Sequence, residues 1–354
     1  MRKRSALTIV AMVGLGAALA GCQGQGVGSG PSADPSTPLV PIAIGVGGIQ
    51  KVIYGPAKLA DQLGYFKDEG LDVRVQDEVS GGPGQDDELI LDHLQGVVGF
   101  MDHSILLQAK GKCVKSVVQF ANVPLEKVMV RAEDADKVKS PADWKGKGVG
   151  FTSLGSSTDG LMQYLAQKSG VKRSEYTPRA VKDGSTFISA IEQGDAVVGM
   201  TTPPTSTLLL KKGTAKVAID LSTVQGTKDA LGGLYPASSL YMSCDWVAAH
   251  PRETQKLANA LVKTLRFIKA HTAEEIAAKM PADYGNQNKD KDTYVQSWKE
   301  TKDGFTTDGL IDADGLKTVL DIQALIKDDV AKHKDAIKLS DVYTTEFVQK
   351  VPSS

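Results

Sequence analysis

A run of small hydroxyl-bearing residues at positions 155–158 offers the chemistry of an anion-binding site. The run, Gly155, Ser156, Ser157 and Thr158, joins a β-branched segment to a segment of helical spacing. The first N–H groups of a helix have no partner within it, and beside hydroxyls they bind an anion without a fixed positive charge. Alternatively, these hydroxyls only cap the helix, with Asp159 favoured by the helix dipole.

Two further groups of polar residues directly follow predicted strands. Asp102 and His103 come after one β-branched run, and Thr201 and Thr202 come after another. Ligands of open α/β sheets bind beyond the carboxyl ends of the strands, so both groups are predicted to line a site. Alternatively, they are helix caps, a role that Ser104 and Thr202 can fill.

A glycine-rich turn at Ser80, Gly81 and Gly82 is the third candidate. It follows a predicted strand, and glycine lets the backbone approach a ligand closely. The alternative is a simple tight turn.

Motifs of enzymes and metal sites are missing from the sequence. It has no phosphate-binding Gly-Lys-Ser/Thr, no His-Glu-x-x-His and no Cys-x-x-Cys. The segment 155–159 ends in Asp where a nucleophile elbow has Gly. We therefore predict no catalytic residue, no metal site and no cofactor.

The amino terminus predicts export. A basic start and an apolar run end in Leu-Ala-Gly-Cys at residues 19–22, which resembles a bacterial lipobox. We expect residues 1–21 to be a lipoprotein signal peptide and Cys22 to carry the lipid, which places the protein outside the cytoplasm on the cell membrane. Residues 22–38, rich in Gly, Ser and Pro, are a predicted flexible linker.

Two other cysteines, Cys113 and Cys244, follow in the body of the chain. Outside the cytoplasm such a pair can form a disulfide. The alternative is two small buried apolar residues.

The length of the chain after the signal peptide and linker predicts about two domains, and its charge indicates no nucleic-acid partner. The full sequence of 354 residues carries a formal net charge of −1 and no basic stripe interleaved with aromatic residues. Short β-branched runs alternate with helical patterns, which predicts an α/β fold with mostly parallel sheets. A similar helix-to-strand segment occurs at residues 94–99 and 192–199, which suggests two related lobes.

Predicted strands are residues 40–46, 71–75, 97–101, 114–120, 149–152, 177–181, 196–200 and 216–219. Predicted helices are 55–63, 87–94, 158–169, 186–192, 205–211, 251–270, 273–279 and 314–333.

Four segments resemble the substrate-binding proteins of ABC importers in the nitrate, sulfonate and taurine family. They are GYFKDEGLDV at 64–73, SPADWKGKGVG at 140–150, GSST at 155–158 and QGDA at 193–196. The resemblance implies a two-lobed periplasmic-binding-protein type II fold, each lobe a mixed sheet flanked by helices, joined by a two-strand hinge. Lobe one would comprise residues 39–128 and 236–354, and lobe two residues 129–235. The hinge strands would lie near 125–131 and 234–240, with Gly232 and Gly233 adding flexibility.

The same resemblance implies a monomer that captures a small solute by hinge closure and delivers it to a membrane permease. Its ligand positions correspond to Gly47, Gly48, Gln50, Ser80, Gly81, Gly82, Ser153, Gly155, Ser156, Ser157, Thr158, Thr201 and Thr202. Asp102 and His103 depart from the family pattern, because a carboxylate beside an anion is costly. We therefore expect an anionic or zwitterionic solute whose N–H or cationic end faces Asp102. A nitrogenous ring such as a thiamine pyrimidine precursor, stacked on Tyr54 or Tyr235, is the alternative cargo, and a sensor lipoprotein or an enzyme is the alternative function.

Overall fold

Two five-stranded mixed sheets form the framework of the protein in a computed structural model. The structure describes residues 38–77, 82–286 and 290–353. The predicted signal peptide, Cys22 and nearly all of the predicted linker lie outside the described residues, as do Ser80 and Gly81.

The strands are β1 (Val40–Val46), β2 (Leu71–Asp77), β3 (Gly96–Phe100), β4 (Val114–Gln119), β5 (Lys127–Arg131), β6 (Gly148–Phe151), β7 (Thr177–Ala180), β8 (Val198–Thr201), β9 (Ala215–Asp220) and β10 (Ser238–Ser243). The helices are α1 (Gly55–Gln62), α2 (Tyr65–Asp68), α3 (Gly82–Ile90), α4 (Asp102–Ala109), α5 (Ser157–Lys168), α6 (Gly184–Gln193), α7 (Thr205–Lys212), α8 (Val224–Leu231), α9 (Cys244–Ala249), α10 (Pro251–Ala270), α11 (Ala273–Lys279), α12 (Ala282–Asn286), α13 (Lys291–Thr301), α14 (Ala313–Ile326) and α15 (Asp328–His333).

The two sheets have the same arrangement. The first runs β2-β1-β3-β10-β4 and the second β7-β6-β8-β5-β9. In each, three parallel strands are followed by one antiparallel strand, β10 or β5, with which the chain enters that sheet from the other one. The repeated sequence segments lead into β3 and β8, which occupy matching places, so the predicted relation between the two halves is confirmed.

The chain crosses between the sheets twice. It leaves the first sheet after β4 and joins the second at Lys127, and it returns to the first at Ser238. The strands that the two crossings enter begin at Lys127, within the predicted segment 125–131, and at Ser238, within the predicted segment 234–240. Leu125 adopts φ 57° at the first crossing, a left-handed conformation that costs a leucine about 1–2 kcal/mol. The exact lobe limits stay a prediction.

The carboxy-terminal third is helical, as the hydrophobic spacing predicts. Leu257, Leu261, Leu265 and Ile268 line the fully buried face of α10. Residues 314–333 are mainly helical, as predicted, but the chain breaks at Lys327 into α14 and α15. In the described part of the chain, no helix combines the length and hydropathy needed to cross a bilayer.

Helix α13, which the sequence reasoning missed, contacts both halves of the molecule. Trp298 packs on Gly55 of α1, where a Cβ on that glycine would lie 2.6 Å from the indole. On its other side, Glu300 pairs with Lys127 of β5 at 2.7 Å and accepts a hydrogen bond from Thr207 of α7. This helix therefore connects elements of the two halves.

A disulfide joins Cys113 to Cys244, with Cα atoms 5.4 Å apart. Cys113 directly precedes β4 and Cys244 directly follows β10, and these strands are neighbours in the first sheet. The bond therefore closes a loop of the chain that contains the second sheet.

Candidate functional site

A cavity of about 30 Å³ lies between the two sheets. It is far smaller than a typical ligand pocket of about 300–1,000 Å³, so the two halves are in close contact. Its walls come from the first half, from the crossing segment and from the second half: Gly47, Lys51, Tyr54, Gly82, Gln85, Gly99, Phe100 and His103; Glu126; and Thr152, Ser156, Ser157 and Thr158.

Contacts between the halves surround this cavity. The Lys51 ammonium lies 3.0 Å from the Asp183 carboxylate, which precedes α6 of the second half. Nearby, the Val52 N–H donates to the Pro203 carbonyl at 3.2 Å. Gly48, at φ 101°, leaves room for the ion pair, since a Cβ there would lie 2.9 Å from the Lys51 chain. The arrangement is therefore a closed one.

The start of α5 forms the second-half wall. Ser156 is the N-cap and accepts a hydrogen bond from the Asp159 N–H, so the helix-capping interpretation is correct. The same residues line the cavity, and Ser156 and Thr158 hydroxyl oxygens lie 2.9 Å apart. Capping and ligand contact are compatible here, because the Ser156 hydroxyl engages one of the first N–H groups of the helix and the others have no partner within the helix.

His103 presents an imidazolium edge on the opposite wall. Its Nδ1 lies 2.6 Å from Asp86 Oδ2, and Tyr241 donates to Asp86 Oδ1 at 2.8 Å. Burial alone lowers the pKa of His103, but the charge and hydrogen bond of Asp86 outweigh it and raise the pKa to about 9. With Nδ1 engaged by Asp86, Nε2 is the second donor of the ring and lies beside Gly82, which also lines the cavity.

Asp102 lies behind the cavity wall, which corrects the expectation that it faces a ligand amine. Ser157 donates to Oδ1 at 2.8 Å, while Tyr235 and Gln323 donate to Oδ2 at 3.0 and 3.2 Å. The carboxyl is 1% exposed and its oxygens serve these three donors. Asp102 therefore joins the first turns of α4 and α5 across the two halves, and Tyr235 is occupied here rather than stacked on a ligand.

Replacement of Asp102 by alanine is expected to lower the free energy of unfolding by about 3 kcal/mol, because buried donors would lose their acceptor. Urea denaturation followed by circular dichroism would measure the change. Asp314→Ala, in the first turn of α14, is the control. A loss below about 0.5 kcal/mol for Asp102→Ala would contradict the assigned role.

Two polar side chains of the wall lack partners among the described residues. Gln85 is fully buried with both amide atoms unpaired, and Glu126 is 4% exposed with Oε2 unpaired. Burial raises the pKa of Glu126 to about 8, although Lys51 opposes the shift and Asp102 adds to it. Buried polar atoms are normally hydrogen-bonded, so these two mark the place for a polar ligand.

The structure brings six of the predicted ligand residues to the cavity: Gly47, Gly82, His103, Ser156, Ser157 and Thr158. Gly155 instead faces a neighbouring groove beside Pro83. Thr201 and Thr202 are buried at the end of β8, and Thr202 donates to the Leu125 carbonyl at 3.1 Å. Gln50 and Ser153 have buried oxygens without partners in the described chain, but neither is part of the wall.

The sequence reasoning missed Lys51, Gln85 and Glu126. Lys51 adjoins the turn after the first strand, and Glu126 lies in the predicted hinge segment, so position was the available signal for both. Gln85 follows the glycine-rich turn by three residues and carries no local motif.

Residues 54–275 match the family model described as NMT1/THI5 like. Among solved structures, a protein of Bordetella bronchiseptica RB50 is 30% identical with a TM-score of 0.81, covering 88% of this chain and 96% of that one. The alkanesulfonate-binding protein SsuA from Xanthomonas axonopodis pv. citri, bound to MOPS, has a TM-score of 0.65 at 16% identity, covering 88% of this chain and all of that one. The two-lobed periplasmic-binding-protein type II fold is thereby confirmed, as is the resemblance stated from the motifs.

A curated protein is also similar to this chain. A 4-amino-5-hydroxymethyl-2-methylpyrimidine phosphate synthase of Aspergillus parasiticus is 26% identical over 227 residues, or 62% of this chain. The match spans 64% of that relative, which is less than two thirds of its length.

Proposed function

Because this chain belongs to the NMT1/THI5-like family, we propose that it is the solute-binding protein of an ABC importer. Its two halves would close about a small solute by rotation at the two crossings. The binding free energy of the solute would favour the closed state, which docks on the permease.

The observation that supports this proposal is a polar cavity walled by both halves. Ser157 of the second half reaches Asp102 of the first, and Lys51 of the first reaches Asp183 of the second. A ligand between such walls is touched on both sides, so its binding stabilises closure. The cavity wall supplies hydrogen-bond donors and acceptors, and the function needs no bond-making step.

We also propose that the protein works outside the cytoplasm, anchored through Cys22. The linker of residues 22–38 would let the folded body reach a permease in the same membrane. The solute-binding body would act as a monomer.

An anionic or zwitterionic solute of the nitrate, sulfonate or taurine class is the first cargo candidate. The start of α5 offers hydroxyls and helix N–H groups, and the His103 imidazolium faces the same cavity. Together they favour an anionic or strongly accepting end of the solute.

A nitrogenous ring is the second candidate. Tyr54 lines the cavity and offers an aromatic face, while Gln85 offers a donor and an acceptor to a ring edge. The name of the Aspergillus relative gives this candidate its chemical context.

Native mass spectrometry of the purified protein should reveal a co-purified small solute. A cognate solute at about a hundred times its dissociation constant should stabilise the protein by roughly 2.7 kcal/mol in a thermal-shift assay. The panel would contain nitrate, taurine, alkanesulfonates and aminopyrimidines.

Ser157→Ala should reduce affinity about fivefold to tenfold, since one hydrogen bond across the closed cleft is lost. Ser169→Ala, at the exposed far end of α5, is the matched control.

Absence of any co-purified solute and of any shift across the panel would count against the receptor function. Unchanged uptake on deletion of the protein would favour a sensor, and conversion of a panel compound, followed by mass analysis, would favour an enzyme.

A further inference from the structure

We propose that Glu126 decides which solutes the cleft accepts, by taking the N–H-bearing or cationic end of the solute on its carboxyl group. The start of α5 would bind the opposite end of the solute, which accepts hydrogen bonds. This inference rests on the proposed receptor function and narrows its cargo to solutes with both kinds of end.

Glu126 is placed for this role by the first crossing of the chain. It directly follows Leu125, whose left-handed backbone turns the chain immediately before β5 begins at Lys127. Its side chain lines the same cavity as the α5 start, and Oε2 has no partner within the described residues. A buried carboxyl oxygen without a donor is costly unless a ligand supplies one.

The other charged groups of the wall are already neutralised. Lys51 is paired with Asp183 at 3.0 Å, and His103 with Asp86 at 2.6 Å. Among the ionisable side chains that the structure describes on this wall, Glu126 is thus the carboxyl left for a ligand. Gln85 adds an unpaired amide, which can donate and accept beside it.

The groups that influence Glu126 lie on several elements. Lys51 comes from the turn after β1 and Asp102 from the start of α4, while Tyr54 and Tyr235 interact with its charge from the first half and the second crossing. Burial raises the pKa of Glu126 to about 8, with Lys51 lowering it and Asp102 raising it. The carboxyl is therefore mainly protonated at neutral pH in the free protein.

Binding of an N–H or cationic end favours the carboxylate, so the proton of Glu126 would leave to solvent. Affinity for such a solute should rise with pH, by roughly 15-fold between about pH 6.5 and about pH 8 for a pKa of about 8. His103 stays protonated over this range because its pKa is about 9. A solute without N–H groups should instead leave Glu126 protonated and show little pH dependence.

Calorimetric titration with two matched probe pairs tests the proposal. Taurine is compared with isethionate, in which a hydroxyl replaces the ammonium group, and 4-aminopyrimidine is compared with pyrimidine. Each titration is run in two buffers of different ionisation enthalpy, which counts the protons released. The nitrogen-bearing member of at least one pair should bind more tightly and release up to one proton near neutral pH.

The isosteric Glu126→Gln variant should lose about tenfold in affinity for that probe, together with the pH dependence and the proton release. Glu133→Gln, on the exposed surface after β5, is the matched control and should behave as wild type. Carbon-13 NMR of the Glu126 carboxyl in the ligand-free protein should show a titration midpoint near 8.

A carboxyl midpoint near the ordinary value of about 4.3 would overturn the proposal. A Glu126→Gln variant that keeps the affinity and the pH dependence of wild type would also overturn it. The same holds if the variant loses affinity equally for both members of a probe pair. Failure of every probe and of every co-purified solute to bind wild type would instead refute the receptor function, and this proposal with it.

Discussion

Removal of the Cys113–Cys244 disulfide is expected to lower the free energy of unfolding by about 5 kcal/mol. The two cysteines are 131 residues apart in sequence, so the bond closes a long loop and restricts the unfolded chain strongly. That loop contains all five strands of the second sheet. Without the bond, β4 and β10 are held together by their own hydrogen bonds and packing alone.

Urea denaturation of oxidised wild type and of the Cys113→Ser/Cys244→Ser variant would measure this difference. A thiol reductant should bring wild type close to the variant and leave the variant unchanged, which controls for effects of the two serines. Equal midpoints of unfolding for wild type and variant would show that the bond contributes nothing to stability.

Glu126→Gln is expected to become more stable than wild type as the pH rises, by up to about 5 kcal/mol at and above pH 8. Burial raises the pKa of Glu126 from 4.5 to about 8 in the folded protein, so folding favours the protonated acid. The stability contributed by that acid is fully present below about pH 4.5 and is lost as the pH rises through about 8. Glutamine does not titrate, so the difference between the two proteins isolates this group.

Unfolding free energies at about pH 5, 6.5 and 8 would test the expectation, with Glu133→Gln as the control for a surface carboxyl. The gap between Glu126→Gln and wild type should widen at each step. A gap that stays constant from pH 5 to pH 8 would mean that Glu126 is ionised in the folded protein throughout.

Local patterns predicted the framework well. The β-branched run at residues 40–46 is β1 with identical limits, and the apolar spacing of α10 matches its buried face. The repeated helix-to-strand segments correctly indicated two related sheets. These features depend on residues close in sequence, whose period follows from backbone geometry. Helix α13 was missed because Thr293, Ser297 and Thr301 of its buried face are polar, which weakens the apolar period.

The candidate site was only partly predictable. The hydroxyls at the start of α5 were found, since a strand followed by Gly-Ser-Ser-Thr and a helix is a local signal. Asp102 was expected to face the ligand, because it follows a strand that ends at the cleft. Its actual partners Ser157, Tyr235 and Gln323 lie 55, 133 and 221 residues away, and no local pattern reports them.

By itself the sequence determined the α/β class, the two related halves and the helix start with its hydroxyl groups beside the cleft. Each follows from backbone propensities and from the burial of apolar residues at short spacing. Only the tertiary structure decided which carboxyl group receives hydrogen bonds from the protein and which keeps an oxygen for a ligand. Desolvation and hydrogen bonding depend on atoms that distant segments bring together, and these left Asp102 with three donors and Glu126 Oε2 with none among the described residues.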